Sequence, residues 1–127
     1  MNHATFEPDS SSVRAVRTFI ASATDLPADL EATVSLLASE LAANSVLHAR
    51  TAYQVGVFAG FGRVRVSVSD SNPRLPVMKL HSLEAATGRG LRMVQSLADR
   101  WGIESHEQGK TVWFEFDLAD PGVARSA

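Results

Sequence analysis

ELAANSVLHA, residues 40–49, lies inside an Ala- and Leu-rich run that reads as a helix. Glu40, Asn44 and His48 recur within it every four residues, so a carboxylate, an amide and an imidazole fall on neighbouring turns. Upstream, Leu30, Val34, Leu37 and Leu41 follow one another at spacings of four, three and four. That is the stripe of a helix facing a core. The helix is expected over about Ala28–Ala49, and its stripe, extended, runs into Asn44 and His48. A buried amide or carboxylate without partners costs on the order of 1–3 kcal/mol. This end of the helix should therefore border a polar cavity or a ligand, or else emerge into solvent.

Working outward, PDSSS (residues 8–12) offers helix-capping side chains after a short strand near Phe6. A first helix is expected over about Ser11–Ala23, with Val13, Val16, Phe19 and Ile20 on one face. Beyond the central helix, YQVGVFA (53–59) and RVRVSVSD (63–70) flank Gly60-Phe61-Gly62, a hairpin pattern. In the second of these strands Val64, Val66 and Val68 alternate with Arg63, Arg65, Ser67 and Ser69, so one face is buried and the other wet. Residues 71–87 hold two prolines and no clear period, and read mainly as a loop. GLRMVQSLADR (90–100) reads as a third helix with Leu91, Val94, Leu97 and Ala98 inward. WGIESHE (101–107) and KTVWFEF (110–116) read as closing strands with Gly109 at their turn. The expected fold is a two-layer α/β sandwich: a mixed, mostly antiparallel sheet with about three helices on one face. No repeat or linker divides the chain, so residues 1–127 are expected to form one domain, with flexible ends at about 1–5 and 120–127.

The chain's 127 residues are enough for a substantial core. Twelve basic and fourteen acidic residues give a net charge of −2 without any Lys/Arg cluster, which argues against a nucleic-acid or anionic-membrane surface. There is no cysteine, so disulfides, thiolate metal sites and thiol catalysis are excluded. The N-terminal MNHATFEPDS lacks the build of a signal peptide, and no apolar run approaches the roughly 20 residues of a membrane span. The expected location is the cytoplasm.

Two further features stand out of place. Asp70 is in phase with Val64, Val66 and Val68, so its carboxylate points to the buried face, where it needs donors; Asp-Ser-Asn-Pro is also good turn chemistry. TGRGLRMV (87–94) places Gly88 and Gly90 around Arg89 at the expected start of the third helix, with Arg92 adding charge. Free N–H groups at a helix start attract phosphate, although Gly is common there for other reasons. An inward Asp, a glycine-rich helix start with Arg, and a Glu/Asn pair could together hold a base, its phosphates and a metal ion.

These residues resemble the ATP-binding domain shared by sensor histidine kinases, gyrase-type ATPases and anti-sigma factor kinases. The chain looks most like the small anti-sigma-factor-like ATP-binding regulators common in actinobacteria. The resemblance runs from about Phe6 to Leu118: ELAANSVLHA resembles the N box, VSVSDSNPRLP the G1 region, ATGRGLRMVQSLADRWG the G2 region and GKTVWFEF the closing strand, in that order. It implies the histidine kinase/gyrase-type fold and ATP or ADP with Mg2+ as cofactors. It implies Glu40 as general base, Asn44 as the Mg2+ ligand, His48 as a phosphate or Glu40 neighbour, and Asp70, flanked by Asn72 and Pro73, as acceptor for the adenine amino group. Thr87, Gly88, Arg89, Gly90 and Leu91 would cover the phosphates. Thr111 would assist at the adenine, although strict alternation turns it away from Val112, Phe114 and Phe116. The sequence departs from the wider family where Ser71, Asn72 and Pro73 replace the glycines after the Asp, and where the lid over Arg74–Thr87 is short.

The resemblance implies a protein serine/threonine kinase that binds a sigma factor and phosphorylates an antagonist protein, within a homodimer joined through the first helix or a sheet edge. The retained Glu40 favours this. The altered G1 region and short lid favour an alternative: a nucleotide-binding module that regulates a partner with little or no transfer. A third reading is an interaction protein without nucleotide, for which an exposed Phe61 or Trp101 would serve an interface.

Overall fold

The computed structural model describes residues 2–71 and 82–118, the stretch 82–89 through its backbone alone. Five strands, β1 (Asn2–Phe6), β2 (Tyr53–Gly60), β3 (Arg63–Asp70), β4 (Arg100–His106) and β5 (Gly109–Asp117), form one sheet in the order β1-β2-β3-β5-β4. All four pairings are antiparallel, so the expected mixture of directions is absent among the described residues. Three helices, α1 (Ser12–Ala23), α2 (Ala28–Asn44) and α3 (Ser82–Leu97), supply the second layer.

The alternation in β3 fixes which face is covered. Val64, Val66 and Val68 are buried and join Val55 and Val57 of β2 and Val112, Phe114 and Phe116 of β5 in one core. Val16 and Ile20 of α1, Val34, Leu37 and Leu41 of α2, and Leu91 and Val94 of α3 meet them from above. Removing these side chains from water is the main stabilising contribution, at roughly 25 cal/mol per Å2 of apolar surface. The opposite face carries polar groups: Ser69 and Thr111 hydroxyls 2.8 Å apart, and Arg65 over the Trp113 ring at 4.1 Å.

The hairpin between β2 and β3 closes through Phe61 and Gly62, both at positive φ (53° and 76°), the primed geometry that matches strand twist. Phe61 is 94% exposed and stacks on Phe58. Trp101, by contrast, packs partly buried against the core and is not a free surface aromatic. Gly109 is required by its neighbour strand: a Cβ there would lie 2.0 Å from the Asp70 carbonyl oxygen.

Several expectations change. The first residues are not frayed: Asn2–Phe6 pair with Val57–Tyr53, and Phe6 stacks on Tyr53 at 5.6 Å. At the start of α1 the N-cap residue Ser11 makes no side-chain cap hydrogen bond; Asp9, within the expected PDSSS stretch, instead accepts the Ser11 hydroxyl and, at 2.8 Å, the Ser11 N–H. These Ser11 hydrogen bonds hold the Asp9 carboxyl below its ordinary pKa. Regular α-helix in α2 ends at Asn44, not Ala49; a π-helical turn, Ser45–Ala49, follows, with the Arg50 N–H reaching the Ser45 carbonyl five residues back at 2.9 Å. Arg50 then leaves at φ 56° in the left-handed region. The largest change is α3, which begins at Ser82, inside the segment expected as a loop.

Candidate functional site

The buried stripe does not run on through Asn44 and His48. Past Leu41 and Ala42 the buried positions are Ser45 and Ala49, not Asn44 and His48. Glu40 and Asn44 therefore sit half-buried beside the stripe, one turn apart, and His48 is exposed. His48 thus stands outside the buried stripe that first drew attention to it.

Across from Glu40 and Asn44 runs α3. A Cβ added at Gly90 would lie 3.2 Å from Asn44 Nδ2, 3.2 Å from Glu40 Cβ and 3.5 Å from the Glu40 carbonyl carbon. Gly90 therefore lets the two helices approach at this level, and it brings the two sequence segments together in space. The residues expected to cover phosphates are placed differently. Gly88, Arg89, Gly90 and Leu91 occupy the interior of α3, well beyond its first turn. Only the first four N–H groups of a helix lack intrahelical acceptors, so the free-amide cradle expected at Gly88–Gly90 is not there. Leu91 is fully buried in the core. Thr87, Gly88 and Arg89 are described by backbone alone, within α3, and Asn72 and Pro73 lie outside the described residues.

At the end of β3, Asp70 has the inward side chain that its phase demands. Its partner on β5 is Lys110, whose Nζ donates to Oδ1 at 3.0 Å and lies 3.0 Å from Oδ2. Both side chains are shielded, Asp70 at 6% and Lys110 at 11% exposure. The strand end is fixed by the Ser71 N–H donating to Thr51 Oγ1 at 3.1 Å. Thr111 lies on the opposite face, bonded to Ser69 and, at 3.1 Å, to His106 Nε2. It does not share the Asp70 side of the sheet, because successive residues of a strand point to opposite faces.

Sequence reasoning passed over Lys110, although its phase with Val112, Phe114 and Phe116 already turned it inward, opposite an inward Asp. It also passed over Glu115, buried on the open face among Arg63, Arg65 and Arg100 at 3.6, 3.1 and 2.8 Å. Burial alone would raise the Glu115 carboxyl; hydrogen bonds from Arg100 and Arg65, with the charges of Arg65 and Arg63, hold it below its ordinary range.

Among the described residues no group of three or more His, Cys, Asp or Glu side chains gathers as a metal cage. A cation at Asn44 would depend on an amide oxygen together with ligand and water oxygens. Magnesium accepts such a set, using few protein ligands beside substrate phosphates.

The chain belongs to the histidine kinase-like ATPase domain family, whose model matches residues 6–116. It is thus an ATP-binding type of domain, with the three-helix, five-strand architecture described above. Solved structures share the fold. The RsbU and RsbW domains of a Mycobacterium tuberculosis protein align over 95% of this chain at 20% identity and a TM-score of 0.66. The blue-light activated histidine kinase of Erythrobacter litoralis aligns over 86% at 19% identity and 0.59. The nucleotide-free catalytic domain of histidine kinase ThkA aligns over 92% of this chain and 96% of its own length, at 15% identity and 0.60. The chain spans 34% of the first of these and 41% of the second. No curated protein matches it. No described helix is long and apolar enough to cross a membrane.

Proposed function

We propose that the chain is an ATP- and Mg2+-dependent serine/threonine protein kinase of the anti-sigma type, working in the cytoplasm on a sigma factor that it holds and an antagonist protein that it phosphorylates. What carries the reading is the pair Glu40 and Asn44, one turn apart on a half-buried face of α2, with Gly90 of α3 against them. In a domain of this family, Glu40 would take the proton of a Ser or Thr hydroxyl on the antagonist. The hydroxyl oxygen would attack the γ-phosphorus, the bond to the β,γ-bridging oxygen would break, and its electron pair would leave with ADP. Asn44 would hold Mg2+, which when bound supplies neutralisation of the phosphate charge. Asp70 would accept a hydrogen bond from the adenine amino group, with Asn72 and Pro73 flanking the base, and Thr87 and Arg89 would meet the phosphates. The phosphate added to the antagonist, about −1.5 to −2 charges, would break its interface and free the kinase for the sigma factor.

One observation favours a second reading. With Gly88–Leu91 inside α3, no backbone cradle for the γ-phosphate stands at that position. A module that binds nucleotide and holds a partner without transfer fits that placement. Transfer of label from γ-labelled ATP to antagonist candidates separates the two readings. Glu40→Gln should keep nucleotide affinity within about threefold and lose at least about a hundredfold in transfer. Binding without transfer in the wild type would support the module; transfer undiminished in the variant would remove Glu40 from the chemistry.

A further inference from the structure

The peptide unit that joins Asp70 to Ser71 is held at both of its polar ends. Its N–H, that of Ser71, donates to Thr51 Oγ1 at 3.1 Å. Its carbonyl, that of Asp70, packs on Gly109, where an added Cβ would overlap the oxygen and lie 3.1 Å from Ser71 Cα. The sheet brings these groups together. Asp70 pairs with Tyr53 on β2 and with Lys110 on β5, and Thr51 and Gly109 come just before those partners in the chain. Thr51 reaches the strand end because the backbone reverses at Arg50, φ 56°, directly after the π turn that follows Asn44. Asp70 is also where the register of β3 with both neighbours stops. Past that point no ladder bond orders the chain, and strand ends open more readily than strand centres. The Thr51 hydroxyl carries the order one residue further. Ser71 is exposed, so water would satisfy its N–H equally well. What the bond supplies is therefore position more than stability.

We propose that Thr51 is a positioning residue for the base contact at Asp70; the proposal rests on the nucleotide reading of Asp70. Thr51 touches no nucleotide in this account. It acts by fixing the peptide plane after Asp70, and with it the backbone rotation that aims the Asp70 side chain. A hydrogen bond to a base is directional and weakens steeply once donor and acceptor fall out of line, so a carboxylate on a loosened strand end accepts less well. The same bond joins the two segments proposed to meet the nucleotide. Only the π turn and Arg50 separate Asn44 from Thr51, so the end of α2 is tied to the end of β3. Threonine suits this task because its branched Cβ restricts the hydroxyl to few rotamers.

The experiment is a double-mutant cycle in the affinity of the full chain for magnesium ATP, read by calorimetry on the wild type, Thr51→Val, Asp70→Asn and the double variant. Thr51→Val keeps the shape and removes the acceptor; it should weaken ATP by about three- to tenfold, the range one lost hydrogen bond gives. In the Asp70→Asn background the same change should cost less than about twofold, because residues that act through one another are not additive. Thr51→Ser keeps the hydroxyl and should bind within about twofold of the wild type. Should the double variant bind too weakly to titrate, loss in Thr51→Val and rescue in Thr51→Ser, at unchanged urea midpoints, decide. Thr51→Val with wild-type affinity, or with the same loss in both backgrounds, overturns the proposal and leaves the nucleotide reading standing. A wild type that does not bind ATP, or one whose affinity Asp70→Asn leaves unchanged, overturns both.

Discussion

Glu115 is a carboxylate on the wet face of a sheet, yet it is only 7% exposed, because three arginines close over it. Those arginines are 32–47% exposed, so solvent weakens each attraction. What the network provides is hydrogen bonding to an anion that burial would otherwise disfavour. Its folded-state pKa is lowered, so its contribution is fully present above the ordinary glutamate value of about 4.3 and is lost as the pH falls through the lower folded value. Glu115→Gln should destabilise the protein by about 1–3 kcal/mol at pH 7. In thermal melts the gap between wild type and variant should hold above about pH 5 and narrow as the pH falls below about 4. A gap of equal size at pH 3 and pH 7 would show that the charge of Glu115 does not matter to stability.

Among the elements, the strands were the most legible. Period-two alternation placed β3 at Arg63–Asp70, and the inward phase of Asp70 followed from the same count. The helices were less so, for identifiable reasons. The π turn at Ser45–Ala49 inserts a wider winding that periodicity cannot foresee, and the buried positions continue through Ser45 and Ala49 rather than Asn44 and His48. The start of α3 was misplaced because Gly88 and Gly90 look like helix punctuation; tertiary contact overrides that weak propensity, and Gly90 is there for closeness to α2. A stability series measures this closeness. Gly90→Val would drive a branched side chain into Glu40 Cβ and the Glu40 backbone, which cannot swing aside as Asn44 can. We expect a loss of about 1–3 kcal/mol in urea unfolding, with Mg2+-dependent ATP binding weakened as Asn44 is displaced. Wild-type stability in the variant would mean that α3 does not press on α2 at Gly90.

At the scale of the whole molecule, the antiparallel sheet, its helical layer and the family match over residues 6–116 define an ATP-binding domain. Four short segments in the right order carried that recognition in the sequence more than any one of them. The chemistry of the site was less legible. Sequence phase brought out Asp70 but passed over its ion pair with Lys110, which exists only when β3 and β5 lie in register. The proposed base contact is Asp70, inward at the end of β3. Calorimetric titration with ATP, with and without Mg2+, on the wild type and on Asp70→Asn tests it directly. Magnesium-dependent binding in the wild type, weakened at least about tenfold by the substitution, is the expected result. Equal binding by the two proteins, or none by the wild type at millimolar nucleotide, would contradict it.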